Sequence, residues 1–257
     1  MSHAVLERGF ERMGARLRVL ETPRGSFTLD VRDGVFELAL GSESEAQPLV
    51  VDVRPEMRHL LLLVRDGTAK HKFLCGHDER HWFAAAVPND QGVQSVPAAM
   101  EALKPALVRR EQSARQLRSR HRMRRKNEVY VRQGEWFFLP VPDMTDPPQL
   151  LRNEQLSRGN GGKPHIAEFC HRSGGHRVYV CRQFPGGLRE AEYQALLQRR
   201  PFSDRWRWEV RTANAEVFVR GTVRHPDHKT IRLRCWHRVR MNREAEAPSR
   251  RQLVFLD

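Results

Sequence analysis

A chain of 257 residues is long enough to bury a substantial hydrophobic core, and it falls between one large domain and two ordinary ones. Its formal net charge of +14 gives it a field that attracts polyanions such as nucleic acid. No run approaches the roughly 18 to 20 apolar residues of a spanning helix, because "HLLLLV" stops at once in Arg65-Asp66-Gly67, so no membrane is expected as a partner.

The 45 basic residues comprise 39 arginines and 6 lysines. Arginine's planar fork suits phosphate and base contacts, but a GC-rich genome produces the same bias whatever the function, so placement says more than identity. Residues 1–95 hold 12 basic against 14 acidic side chains, a net of −2. Residues 96–126 hold 10 against 2, and residues 127–257 hold 23 against 15, so each of these two segments carries a net +8.

The N-terminal stretch "MSHAVLERGFERMGARLRVLE" is arginine-rich, yet Glu7 and Glu11 interrupt it and no apolar segment follows. That pattern argues against a transit or secretory peptide, and a cytoplasmic location is the expectation. Four cysteines, with no Cys-x-x-Cys pair among them, are too sparse for a disulfide scaffold and read as reduced thiols.

Residues 25–95 carry short extended runs: "SFTLDV", "VFELALG", "PLVVDV", "HLLLLV", "KHKFLCG" and "WFAAAVP". The Asp-Gly turns at Asp33-Gly34 and Asp66-Gly67 predict hairpins, hence an antiparallel meander with an N-terminal helix against it. "WFAAAV" reads equally as the start of a helix. The octet "CGHDERHW" (75–82) is expected at a strand boundary, with Trp82 and Phe83 packing inward, and it is a secondary site candidate.

In residues 96–126 one apolar stripe recurs at helical spacing through Val96, Met100, Leu103, Leu107, Ala114, Leu117 and His121. Ser95 and Pro97 mark an N-terminus, while Pro105 divides the stretch into a short helix ending near Lys104 and a longer one from Ala106. The second helix carries Arg109, Arg110, Arg115, Arg118, Arg120, Arg122, Arg124, Arg125 and Lys126, with Glu111 as the only acid in the run. Such a run repels itself unless anions neutralise it, which predicts a phosphate-binding arm; the alternative is a solvated linker.

The third part repeats a Val-aromatic-Val core at Val129-Tyr130-Val131, Val178-Tyr179-Val180 and Val217-Phe218-Val219. Unequal intervals of 49 and 39 residues exclude a propeller or solenoid, and three strands of one sheet are expected, with "LREAEYQALLQRR" a helix between the last two. "GNGGKP" (159–164) lacks the spacing of a P-loop and reads as a turn. In "RRPFSDRWRWEVR", a strand would place Trp206 and Trp208 on one face and Arg205 and Arg207 on the other, which is the equipment of a single-strand surface if the rings are not core.

Histidine clusters raise the question of catalysis or metal. Cys75 with His77 and Cys235 with His237 form two Cys-x-His pairs that would give a Cys2His2 site if brought together, although the spacing matches no standard module and no cofactor is expected. Zinc there is the alternative. "HIAEFCHRSGGH" gathers His165, Glu168, Cys170, His171 and His176 around a turn. In "RHPDH", His225, Asp227 and His228 crowd a Pro-fixed apex as candidates for general acid-base chemistry, against the plainer reading of a type I turn.

The resulting expectation is an α+β fold, mainly antiparallel sheets in two lobes joined by a basic helical segment: 1–95, 96–126 and 127–257. The function expected is nucleic-acid binding, RNA or ribonucleoprotein rather than a specific DNA duplex. The alternatives are a histidine-dependent nuclease or phosphotransfer enzyme, and a structural subunit with protein partners in a larger nucleoprotein assembly.

Overall fold

The run from Leu60 to Val64 offers no polar residue to point at solvent, so a strand built from it must be covered on both faces. The computed structural model, which describes residues 3–23, 27–90, 92–157 and 163–247, covers it so. Mostly antiparallel sheets with few helices make up the fold, and no described helix is long and apolar enough to cross a membrane. The contacts divide the chain into two units, residues 3–137 with 241–247 and residues 138–240.

In the first unit, helix α1 (His3–Arg12) is followed by strands β1 (Arg16–Thr22), β2 (Phe27–Arg32), β3 (Val35–Gly41), β4 (Gln47–Arg54), β5 (His59–Asp66), β6 (Ala69–Asp78) and β7 (His81–Val87). The strands form two sheets rather than one meander, β1-β3-β2 and β4-β5-β6-β7. β1, in the arginine-rich stretch after the helix, runs parallel to β3, while the other pairings here are antiparallel. Asp33 and Gly34 both take positive φ (49° and 75°), as a tight two-residue hairpin demands. "WFAAAV" is strand β7, not a helix.

Alternation along β5 assigns its residues to two cores. Leu60, Leu62 and Val64 join Leu6, Phe10, Phe36, Leu38 and Phe73 on one side. Leu61 joins Leu74, Ala85 and Val87 on the other, against Val96, Ala99, Ala102 and Leu103. Each fully buried leucine here contributes about 1.5 to 3 kcal/mol of transfer free energy.

Helix α2 (Val96–Ala102) is therefore a core element of the first unit. Ser95 caps it, its hydroxyl accepting from the Ala98 N–H at 3.3 Å. Pro105 ends the first helical stretch as its missing N–H requires, and α3 (Ala106–Ala114) follows. The longer helix expected from Ala106 does not run on: the chain turns at Gln116 (φ 51°) before the single turn α4 (Ser119–Arg122). Buried Lys104 holds this packing, its Nζ donating to Glu101 Oε1 (2.5 Å), Gln112 Oε1 (3.1 Å) and the Arg122 carbonyl (2.8 Å). β8 (Val131–Gln133) and the first two residues of β9 (Trp136–Pro140) complete the unit's outgoing chain, and from Phe138 the strand belongs to the second unit. On its return, Arg243 donates to Asp90 and to the Ala102 carbonyl.

In the second unit, β10 (Leu151–Leu156), β11 (His165–Ser173), β15 (Glu216–His225) and β16 (His228–Met241) form an antiparallel sheet that continues to β9. A separate small sheet, β13-β12-β14, is made of β12 (His176–Cys181), β13 (Phe184–Leu188) and β14 (Glu209–Ala213), with helix α5 (Glu190–Arg199) in the connection. The three Val-aromatic-Val strings therefore do not share one sheet. Val178 to Val180 lie in β12, Val217 to Val219 in β15, and Val129-Tyr130 precede β8 in a turn whose N–H groups Asn127 Oδ1 accepts.

Candidate nucleic-acid interface

The basic run of the first unit is only partly available to a ligand. Arg122 donates to Glu101 (3.1 and 3.3 Å), Arg125 pairs with Asp78 and Glu79, and Arg109 lies 3.6 Å from Asp90. Acids distant in sequence thus offset a run in which Glu111 is the only local one. Arg115 donates to the Glu128 carbonyl at 3.1 Å. Arg110, Arg118, Arg120, Arg124 and Lys126 are exposed, so the cations nearest solvent are distributed over α3, its turn and α4 rather than along one arm.

In the second unit Trp206 and Trp208 precede strand β14 instead of lying in it, the strand starting at Glu209. Their rings stack with centroids 6.0 Å apart, and both stack on Phe184. Trp208 donates its indole N–H to the Ser203 carbonyl at 2.8 Å. Both rings are half-buried, while Arg205 and Arg207 are exposed.

The strongest cation-aromatic arrangement lies elsewhere, on the sheet β10-β11-β15-β16. Residues directly opposite across a ladder share a face. The register places Arg152 opposite Phe169 and Phe169 opposite Arg220. Two residues on, it places His171 opposite Phe218 and Phe218 opposite Arg238. The intervening pair, Cys170 and Val219, points the other way and is fully buried, so Phe169 and Phe218 stand on the outer face. Guanidinium groups cover the rings: Arg152 and Arg220 lie 5.1 and 5.6 Å from the Phe169 centroid, and Arg238 lies 5.5 Å from Phe218.

Beside this lattice is a hollow of about 680 Å3 whose wall includes Glu168, Phe169, Arg220, Thr222, Arg232 and Arg234. Arg232 and Arg234 are exposed. Glu168 Oε2 accepts from the Thr222 N–H (2.8 Å) and hydroxyl (2.9 Å), and these bonds hold its carboxyl below the usual range, a fixed anion among arginines. Asp146 anchors Arg220 at 2.6 and 3.1 Å and accepts the Trp236 indole N–H at 3.0 Å. The arginines at alternate positions of "RLRCWHRVR" were the available sequence signal for this face. Phe169 and Phe218 gave none, because pairing across strands distant in sequence is what brings them beside cations.

His225, Asp227 and His228 sit at the β15–β16 hairpin, where His225 pairs with His228 across the turn Pro226-Asp227. Asp227 is not among the described residues with positive φ, which suits the type I turn expected there. Lys163 Nζ lies 2.8 and 3.1 Å from the Asp227 carboxylate oxygens, and His165 stacks on His225 with centroids 4.2 Å apart. Two sequence clusters thus meet at one place. "GNGGKP" lies partly outside the described residues, from which only Lys163 and Pro164 of the string are drawn.

Cys75 is in the core of the first unit, and burial pushes its thiol far above the ordinary value, away from the thiolate a metal needs. His77 packs edge-on against Trp82 with centroids 4.9 Å apart. In the second unit, His237 is buried, with Nδ1 donating to the Cys235 carbonyl at 2.8 Å. No family model, curated protein or solved structure matches the chain.

Proposed function

We propose that the protein binds nucleic acid, and single-stranded or structured RNA in preference to a specific DNA duplex, through the outer face of the β10-β11-β15-β16 sheet. One observation carries this reading: the cross-strand lattice in which Phe169 and Phe218 alternate with Arg152, Arg220 and Arg238. Unstacked bases pack on aromatic rings or on guanidinium planes, and the cross-strand register sets both beside one another on this face. Arg232 and Arg234 supply phosphate contacts at the edge of that platform. Glu168, an acceptor immobilised by Thr222, suits the amino edge of a base entering the hollow. The exposed arginines of α3 and α4 add a sequence-independent attraction in the first unit.

The test is fluorescence anisotropy with a mixed-sequence single-stranded RNA and its duplex DNA counterpart, using the parent protein, Phe169→Leu and Phe218→Leu. Leucine keeps apolar volume but removes the ring, so each variant is expected to weaken RNA binding by about 1 to 3 kcal/mol, the worth of one stacked base. Unchanged affinity in both variants rejects the sheet face as the binding surface.

A further inference from the structure

His165, His225 and His228 come from β11, β15 and β16, the first of them separated from the others by some sixty residues of sequence. One donor nitrogen from each lies within 4.8 Å of the other two. Their centroids are 4.2, 4.6 and 5.4 Å apart. His165 is 1% exposed, so this is no solvated loop in which histidines merely meet water. We propose that these three imidazoles are the ligands of a divalent transition-metal site of the zinc class, at the base of the β15–β16 hairpin.

Imidazole is the ligand shared by Zn2+, Cu2+, Ni2+ and Co2+, and three of them leave a fourth position for water or a substrate oxygen. Ligation needs neutral rings. His225 is preset in a particular way. Its Nε2 is 3.0 Å from the Lys163 carbonyl, to which only an N–H can donate, and its Nδ1 accepts the Asp227 N–H at 3.1 Å. The lone pair is therefore on Nδ1, and the bond from the far nitrogen to a backbone carbonyl is the outer support that metal-bound histidines ordinarily have.

Zn–N bonds of about 2.0 to 2.1 Å place ligand nitrogens about 3.4 Å apart in a tetrahedral shell. The rings are inclined only 23 to 32° to one another, so closing on an ion requires them to turn out of the stack until their in-plane lone pairs converge, a movement that half-buried His225 and His228 make on a two-residue turn. The rival account is a plain stack of neutral rings. It predicts the same packing and no affinity for cations.

The experiment uses untagged full-length protein, stripped with chelator and titrated with Zn2+ by calorimetry and with Co2+ by visible absorption. The expected result is one ion per chain, the visible bands of a four-coordinate Co2+ centre, and a rise in melting temperature on adding Zn2+. Because His165 variants risk misfolding, the ligand test rests on His225→Asn and His228→Gln, with folding checked by circular dichroism. Each should lower Zn2+ affinity about 10- to 100-fold or more, at least the loss that follows removal of a mere outer-shell support. No binding in millimolar excess of metal, or equal affinity in the double variant, overturns the proposal.

Discussion

A Cβ placed on Gly221 would stand 2.5 Å from Oε2 of Glu168. The glycine also has φ +85°, so its position combines a left-handed backbone with a carboxylate pressed against it. This relationship forms the floor of the hollow, because the carboxylate is held by Thr222, the next residue. Gly221→Ala is expected to lower stability by about 1 to 3 kcal/mol, from the strained φ and the displaced Glu168 together. A urea melt reads it. A melt matching the parent's would mean that neither the left-handed φ at Gly221 nor the close approach of Glu168 constrains the fold.

The arginines of residues 96–126 divide into two groups with different expected phenotypes. Arg118, Arg120 and Arg124 are exposed, and their replacement by Gln should leave stability unchanged. Every phosphate that these side chains neutralise in the parent, and that glutamine leaves charged, should take about 0.7 off the slope of log K against log salt for a single strand. Arg122 is tied to Glu101, so Arg122→Gln should act mainly on stability. A salt slope unaltered by the triple replacement would show that these three arginines neutralise no phosphate.

Glu101 predicts a pH dependence with a definite sign. Burial pushes its carboxyl upward, but hydrogen bonds from Arg122 and Lys104 and their charges outweigh that and hold it below the ordinary value. A carboxylate depressed in the folded state contributes stability above the unfolded-state value, and loses it as pH falls through the folded-state value. Acid should therefore weaken the parent more steeply than Glu101→Gln, with the two melting curves converging at low pH. Parallel pH profiles would show that the Lys104 network is insensitive to this charge.

The parts of the fold written in local pattern were legible in the sequence. The six extended runs before residue 90 are strands, since period-two alternation and Asp-Gly turns are set by neighbours in the chain. Pro105 and Ser95 marked their helix boundaries for the same reason. β1 was missed because "RLRVLET" puts Arg16 and Arg18 on one face and Glu21 on the other, so that neither face is wholly apolar, and its parallel pairing with β3 is a non-local fact. The counter-charges of the basic run, Asp78, Glu79, Asp90 and Glu101, were not legible from the run itself, because they are distant or lie before it in sequence. Of the candidate site, the hairpin histidines were visible as a cluster. His165 was seen in a different cluster, and only the pairing of β11 with β15 brings it to them.

The octet "CGHDERHW" provides the last prediction. It is the β6–β7 hairpin: β6 ends at Asp78, Glu79 takes φ 40°, and β7 begins at His81. Trp82 packs against one core of the first unit and Phe83 against the other, as alternation across a strand requires. The two acids accept Arg125, and Asp78 is only 6% exposed. Their role is thus to fasten the end of the basic segment to the sheet. Arg125→Met should leave a nearly buried carboxylate with Arg132, 3.9 Å away, as its remaining cation and cost about 1 to 3 kcal/mol, less than a fully buried pair because the arginine is itself about one-third exposed. Adding Asp78→Asn should recover part of that loss, since the neutral amide no longer demands a counter-charge. A double-mutant cycle in denaturant measures the coupling. If the two losses simply add, the octet is an ordinary turn, and Arg125 belongs with the exposed cations available to nucleic acid.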